Sequence, residues 1–256
     1  MKNYSVSFIG AGRITKIMLE GLKRKGITLE NIIVYDIEKN QVKLLKENYP
    51  NIQIAQDLSE CVTAEYIFIA LHPPKIKEVL SVIKEGLNNN QIIIALAPKI
   101  KIKDFFEILG DDTKIVRTIP NAPSIINEGY NPISFSANLL ADEKIKILEF
   151  MKIFGEAPEV EEAKLEAYAI VTAMGPTYFQ FQIEKLKELG ISFGLDEIEA
   201  QKGIKNMLIG AVNTLFSDID KSTVMDLVAV KPIMESEQLI KDIYNKKLNE
   251  IFEKIR

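Results

Sequence analysis

Up to about residue 120 the chain alternates between two textures, and this limits the folds open to it more than any other feature. Short apolar runs at Ser5–Ile9, Asn31–Tyr35, Ile52–Ile54, Tyr66–Ala70, Gln91–Ala95 and Lys114–Thr118 are separated by segments with apolar residues at helical spacing. The segment Ile14–Lys25 is typical, with Ile14, Ile17, Met18, Gly21 and Leu22 on one face. Residues 38–48, 75–87 and 105–109 repeat the pattern. The runs are apolar on both faces, as strands are when helices cover both sides of a parallel sheet. They predict a Rossmann-type α/β fold, a doubly wound parallel sheet.

Beyond about Glu143 the alternation stops and an all-helical region follows. A helix over 143–153 and a brief extended piece at Pro158–Val160 lead into a long helical pattern over 162–189. Gly175-Pro176 lies inside that pattern and should break or kink it, because proline removes a backbone donor and clashes with the preceding turn. Further helices are expected over 197–216, with Asp196 as N-cap, and over 235–255. The boundary falls near residues 155 to 162, giving a dinucleotide-binding domain over 1–158 and a helical substrate and dimerisation domain over 159–256.

The bulk numbers exclude several partners. A net charge of −4 over 256 residues gives no general attraction to nucleic acid or an anionic membrane. No apolar run is long enough for a transmembrane helix. The run Tyr4–Ile9 that follows Met1-Lys2-Asn3 is too short for a secretory h-region and no small-residue cleavage site follows it, so no secretory leader is expected. With one cysteine, Cys61, and one histidine, His72, neither an internal disulfide nor a His/Cys zinc site is expected. A cytoplasmic location fits best.

The chemistry begins at Gly10-Ala11-Gly12-Arg13-Ile14-Thr15, between the first strand and the first helix. The first glycine permits a tight turn and the second lets the backbone approach a pyrophosphate, which then meets helix N-terminal amides. Thr15 stands where the usual third glycine would be. Asp36, closing the second strand, is placed to accept hydrogen bonds from a ribose 2′-hydroxyl and to repel a 2′-phosphate. It could instead cap the helix that starts near Glu38. The expectation is NAD(H) in preference to NADP(H), although Arg13 or Lys39 could reach a phosphate.

Several segments then resemble the pyrroline-5-carboxylate reductase family. Its opening is similar to Phe8–Gly12, its Ala-Val-Lys-Pro turn to Ala70-Leu71-His72-Pro73, and its Arg-x-Met-Pro-Asn-x-Pro segment to Arg117–Pro123. Glu128-Gly129, Phe154-Gly155, Gly175-Pro176-Thr177-Tyr178 and the turn Leu189–Leu195 continue the likeness in order. The resemblance implies reduction of a cyclic imine by NAD(P)H. The Ala70–Pro73 turn would then lie under the cofactor's ribose and nicotinamide, and Asn121 near the nicotinamide. It also implies C-terminal helices that interlock with a second copy as a homodimer or higher assembly.

The substrate side departs from that family. A Val-Thr-Ser-Pro-Gly-Gly-Thr-Thr loop, whose amides and hydroxyls would hold a carboxylate, is replaced by Val228–Glu235. Glu235 adds a repulsive carboxylate and Lys231 a partly compensating cation. Three readings stay open: an imine or carbonyl reductase with an altered pocket, an inactive nucleotide-binding or regulatory homologue, and a coenzyme F420-dependent NADP reductase-like protein. In the first, Thr172 and Glu235 are candidates for orienting or protonating the substrate. His72 replaces the family's lysine, and a histidine on a turn is more often merely solvated.

Overall fold

The computed structural model describes residues 4–256; Met1-Lys2-Asn3 lies outside them. Six strands match the apolar runs: β1 (Val6–Ile9), β2 (Ile32–Tyr35), β3 (Gln53–Ile54), β4 (Tyr66–Ile69), β5 (Ile92–Ala95) and β6 (Lys114–Thr118). Between them run α1 (Arg13–Arg24), α2 (Lys39–Asn48), α3 (Leu58–Cys61), α4 (Pro73–Ile83) and α5 (Ile102–Leu109). Three short strands follow, β7 (Gly129–Tyr130), β8 (Ile133–Phe135) and β9 (Gly155–Glu156), with α6 (Ala141–Met151) before β9.

The main sheet has the order β3-β2-β1-β4-β5-β6-β8. All its pairings are parallel except that of β8, which runs antiparallel to β6. The chain winds from β1 outward through β2 and β3, then returns to β4 on the other side of β1. The carboxyl ends of β1 and β4 therefore flank the topological switch point, where open α/β sheets bind ligands.

Period-two alternation sends successive side chains to opposite faces. Val6, Phe8, Tyr66, Phe68, Ile92 and Ile94 join one core with α1 and α6, where the Phe8 and Phe68 rings stack at 4.9 Å. Ile9, Ile67, Ile69, Ile93 and Ala95 join the other with α4 and α5. Burying each such large side chain contributes about 1.5–3 kcal/mol. The two cores fix the positions of the loops at the carboxyl edge.

Cys61 is fully buried in the second core. Burial pushes its thiol up to about 12, with Glu60 and Asp57 adding to the shift. Only the thiolate attacks disulfide reagents. At pH 8 the native protein should label slowly and the urea-denatured chain at once; rapid labelling of the native protein would contradict this burial. The stabilisation from keeping the thiol neutral is complete below its ordinary value of 9.0 and is lost as pH rises towards about 12.

The long helical pattern after residue 162 is broken, and the break lies at the expected dipeptide. A 3₁₀ turn (Glu162–Lys164), α7 (Leu165–Tyr168) and a π-helical turn (Ala169–Ala173) precede α8 (Gly175–Ser192), whose first residues are Gly175 and Pro176. Then come α9 (Glu197–Leu215), α10 (Lys221–Asp226) and α11 (Glu237–Ile255). Asp196 caps α9 as expected, accepting from the Glu199 amide at 2.8 Å while Glu199 accepts from the Asp196 amide at 2.9 Å.

Close contacts divide the chain into two units: one extends to Ala173 and takes in Phe252–Arg256, and the other is Met174–Ile251. Residues 159–173 thus sit with the sheet, beyond the change of texture read from the sequence. Leu165 and Ala169 are buried against Ile119, and Ile255 packs on the same cluster. In the second unit α8 lies along α9, and the Tyr178 and Tyr244 rings meet edge-on at 5.7 Å. Only Gly175 and Ala200 are buried there. Phe181, Phe193, Phe216 and Val230 are 68–80% exposed.

Candidate active site

Five loops converge on the carboxyl edge of the sheet. They follow β1 (Gly10–Gly12), β2 (Asp36), β4 (Ala70–Pro73), β5 (Leu96–Lys101) and β6 (Ile119–Asn121). A polar cleft of about 550 Å³ bordered by Ser5, Tyr66, Gln91 and Lys114 lies at the amino ends of the strands, away from this edge.

The glycine turn shows why each position carries its residue. Gly10 has φ +117°, and a Cβ there would sit 2.4 Å from the Ala70 carbonyl oxygen. The first loop is thereby pressed against the turn that follows β4. Gly12 has ordinary φ, and a Cβ would meet no atom within 4 Å. Its vacancy opens outward beside the first turn of α1, where no side chain caps the helix. Free amides facing an open space suit a diphosphate. Thr15 takes the third glycine's place because it is buried and its hydroxyl donates to the Gly10 carbonyl at 2.6 Å.

Asp36 ties two of these loops together. One carboxylate oxygen accepts from the Ala11 amide at 2.7 Å and the other from the Glu38 amide at 2.9 Å. The helix that follows is capped at Glu38, so Asp36 makes a local turn rather than the helix cap. Its negative charge stands at the end of β2 beside the glycine turn, where an adenine ribose would lie. These residues fit a nicotinamide dinucleotide. Gly10–Ile14 would receive its diphosphate, Asp36 its ribose, and the loops after β4 and β6 its nicotinamide half.

Ala70 and Pro73 flank the switch point. His72 is exposed at the N-cap of α4, with Pro73 and Pro74 fixing the first turn. Asn121 is buried; its side-chain oxygen accepts from the Tyr130 amide at 3.1 Å, and its own amide donates to Asn131 at 3.2 Å. It thus links β6 to β7. Thr172 lies in the π-helical turn and donates its hydroxyl proton to the Tyr168 carbonyl at 2.7 Å. Glu235 is exposed in a 3₁₀ turn of the second unit (Met234–Ser236). The structure therefore brings the cofactor candidates to one edge, with Thr172 in the same unit and Glu235 in the other.

A buried ionic cluster beneath this edge escaped the sequence reading. Arg117, fully buried on β6, donates to Glu162 at 2.8 Å and to Glu166 at 2.7 Å. The same carboxylate oxygens accept from the Ile102 amide at 2.7 Å and the Lys99 amide at 3.2 Å. One guanidinium thus holds two carboxylates, and each fixes one end of the loop after β5. Lys99 adopts φ +78° in that loop. The left-handed region costs a non-glycine residue about 1–2 kcal/mol. An arginine inside an apolar strand and glutamates four residues apart at 162 and 166 were the available signals.

Among the described residues, no group of three or more His, Cys, Asp or Glu could hold a metal ion, and no helix is long and apolar enough to cross a membrane.

Comparison with known proteins extends the picture over the whole chain. Residues 5–99 match the family described as NADP oxidoreductase, coenzyme F420-dependent. The pyrroline-5-carboxylate reductase of Escherichia coli (strain K12) is 27% identical over 208 residues, covering 80% of this chain and 77% of its own. Over most of its length the chain is similar in sequence to pyrroline-5-carboxylate reductases. Two solved structures share its fold. Plasmodium falciparum pyrroline carboxylate reductase with NADP bound is 21% identical with a TM-score of 0.80, covering 100% of this chain and 96% of that one. The Streptococcus pyogenes 1-pyrroline-5-carboxylate reductase is 17% identical with a TM-score of 0.83, covering 99% and 98%.

Proposed function

We propose that this protein is an NAD(P)H-dependent reductase of pyrroline-5-carboxylate or a closely related cyclic imino acid, a reaction of the proline-biosynthesis type. The observation that carries the reading is the nucleotide cradle at the switch point, in a chain whose relatives are pyrroline-5-carboxylate reductases along most of their length. A bound dihydronicotinamide supplies the hydride. This chain's residues hold that cofactor through the amides after Gly12, set the ribose against Asp36, and present the loops after β4, β5 and β6 to the reacting ring. Residues 1–158 would serve the cofactor and 159–256 the substrate and the dimer. Thr172 and Glu235 remain the proposed orienting or protonating groups; with its proton given to Tyr168, Thr172 can only accept in its present rotamer.

NADH is the proposed coenzyme. A 2′-phosphate beside Asp36 would place like charges a few Å apart at a half-buried position. The free, buried Cys61 suits a reducing compartment and supports a cytoplasmic location.

A second copy of the chain is the proposed partner. The unit 174–251 has almost no buried core of its own, and such apolar faces are costly to leave in water. Light scattering at micromolar concentration should give twice the chain mass or a higher multiple; the mass of a single chain would rule this out.

The functional test is NADH oxidation at 340 nm with pyrroline-5-carboxylate as acceptor. Turnover that depends on both compounds is expected. Tight NADH binding with no turnover would leave only a nucleotide-binding protein.

A further inference from the structure

Among the described residues two non-glycine positions have positive φ, Asn127 and Lys99. Asn127 is explained locally: asparagine tolerates that region, and its side chain donates to the Gly21 and Ile153 carbonyls at 2.9 Å each. Lys99 has no such explanation. Its backbone is strained and its side chain is exposed, while its amide is held by Glu166, a buried carboxylate anchored by a buried arginine. Backbone strain that the surroundings over-determine tends to mark a functional position. Glycine would satisfy the same turn without strain, so the turn alone does not call for a lysine.

The location gives the ammonium a role. Lys99 lies four residues beyond the end of β5, whose last residue Ala95 is paired with Ile69 of β4. β5 is two strands from β1, about 10 Å along the sheet, on the side opposite β2 and Asp36. With the ribose at β2 and the diphosphate at β1, the loop after β5 falls on the nicotinamide side. The segment Val228–Glu235 holds no glycine or threonine, and its one cation is Lys231.

We infer that Lys99 is a substrate-binding residue, holding the carboxylate of the cyclic imino acid from a turn locked by Glu166 and Arg117. This rests on the proposed reaction for its substrate class, so the test separates the two.

NADH-loaded protein is titrated with L-proline and with L-prolinamide, which keeps the ring and lacks the carboxylate, following NADH fluorescence. The native protein should bind proline at least tenfold more tightly than prolinamide. Lys99→Gly, which suits φ +78° and so folds without strain, should bind both alike, with NADH affinity changed less than twofold. Lys99→Arg should restore the preference. In turnover, Lys99→Gly should raise KM for pyrroline-5-carboxylate tenfold or more with little change in kcat. A preference that survives in Lys99→Gly, a parallel loss of NADH affinity, or no preference in the native protein would overturn the assignment. Native turnover together with a surviving preference removes the lysine's role alone. A Lys99-dependent preference without turnover removes the reaction alone.

Discussion

Arg117→Met is expected to lower the unfolding free energy by about 3–5 kcal/mol, because it strands a buried carboxylate without its cation. Glu166 is 3% exposed, and its oxygen bridges the guanidinium and the Lys99 amide. Adding Glu162→Gln and Glu166→Gln should recover much of the loss, since the amides keep an acceptor oxygen for Ile102 and Lys99 while the stranded charges disappear. Urea unfolding at fixed protein concentration measures both variants, with an unchanged slope showing that stability alone has moved. A single-variant loss under about 1 kcal/mol would mean that water reaches the cluster and screens it.

Gly12→Val should abolish cofactor binding while leaving the fold intact. A Cβ at Gly12 meets nothing within 4 Å, and φ there is −76°, so the first side-chain atom strikes nothing in the protein. That room is what the diphosphate needs. A loss of at least a hundredfold in NADH affinity is expected, about 2.7 kcal/mol, with a fall in melting temperature no larger than the exchange of an N-cap glycine for valine causes. Gly10→Ala is the contrasting case: its Cβ would strike the Ala70 carbonyl at 2.4 Å in a backbone conformation that disfavours alanine. There the fold should weaken together with binding. Unaltered NADH affinity in Gly12→Val would show that the open space is not the cofactor's.

The doubly wound sheet was legible because its strands are fully buried and its helices amphipathic, so each element carried its own periodic signal. The glycine turn and Asp36 were legible because their chemistry is local. β7, β8 and β9 were not: they are two or three residues long, too short for an alternating pattern to show. Pairing to β6 makes Ile133–Phe135 a strand. The break at Gly175-Pro176 followed from proline sterics, whereas the π-helical turn before it has no such marker. Residues 159–173 look like part of the helical region along the chain, yet Leu165, Ala169, Glu162 and Glu166 join the sheet unit through partners 45 or more positions away. Lys99 was invisible for the same reason, since its conformation depends on a carboxylate 67 residues downstream.

Isothermal titration of the purified native protein with NADH and then with NADPH tests the nucleotide cradle most directly. Saturable NADH binding at one site per chain is expected, with NADPH binding about tenfold weaker from partly screened repulsion at Asp36. Absence of heat and of competition with either nucleotide would contradict it.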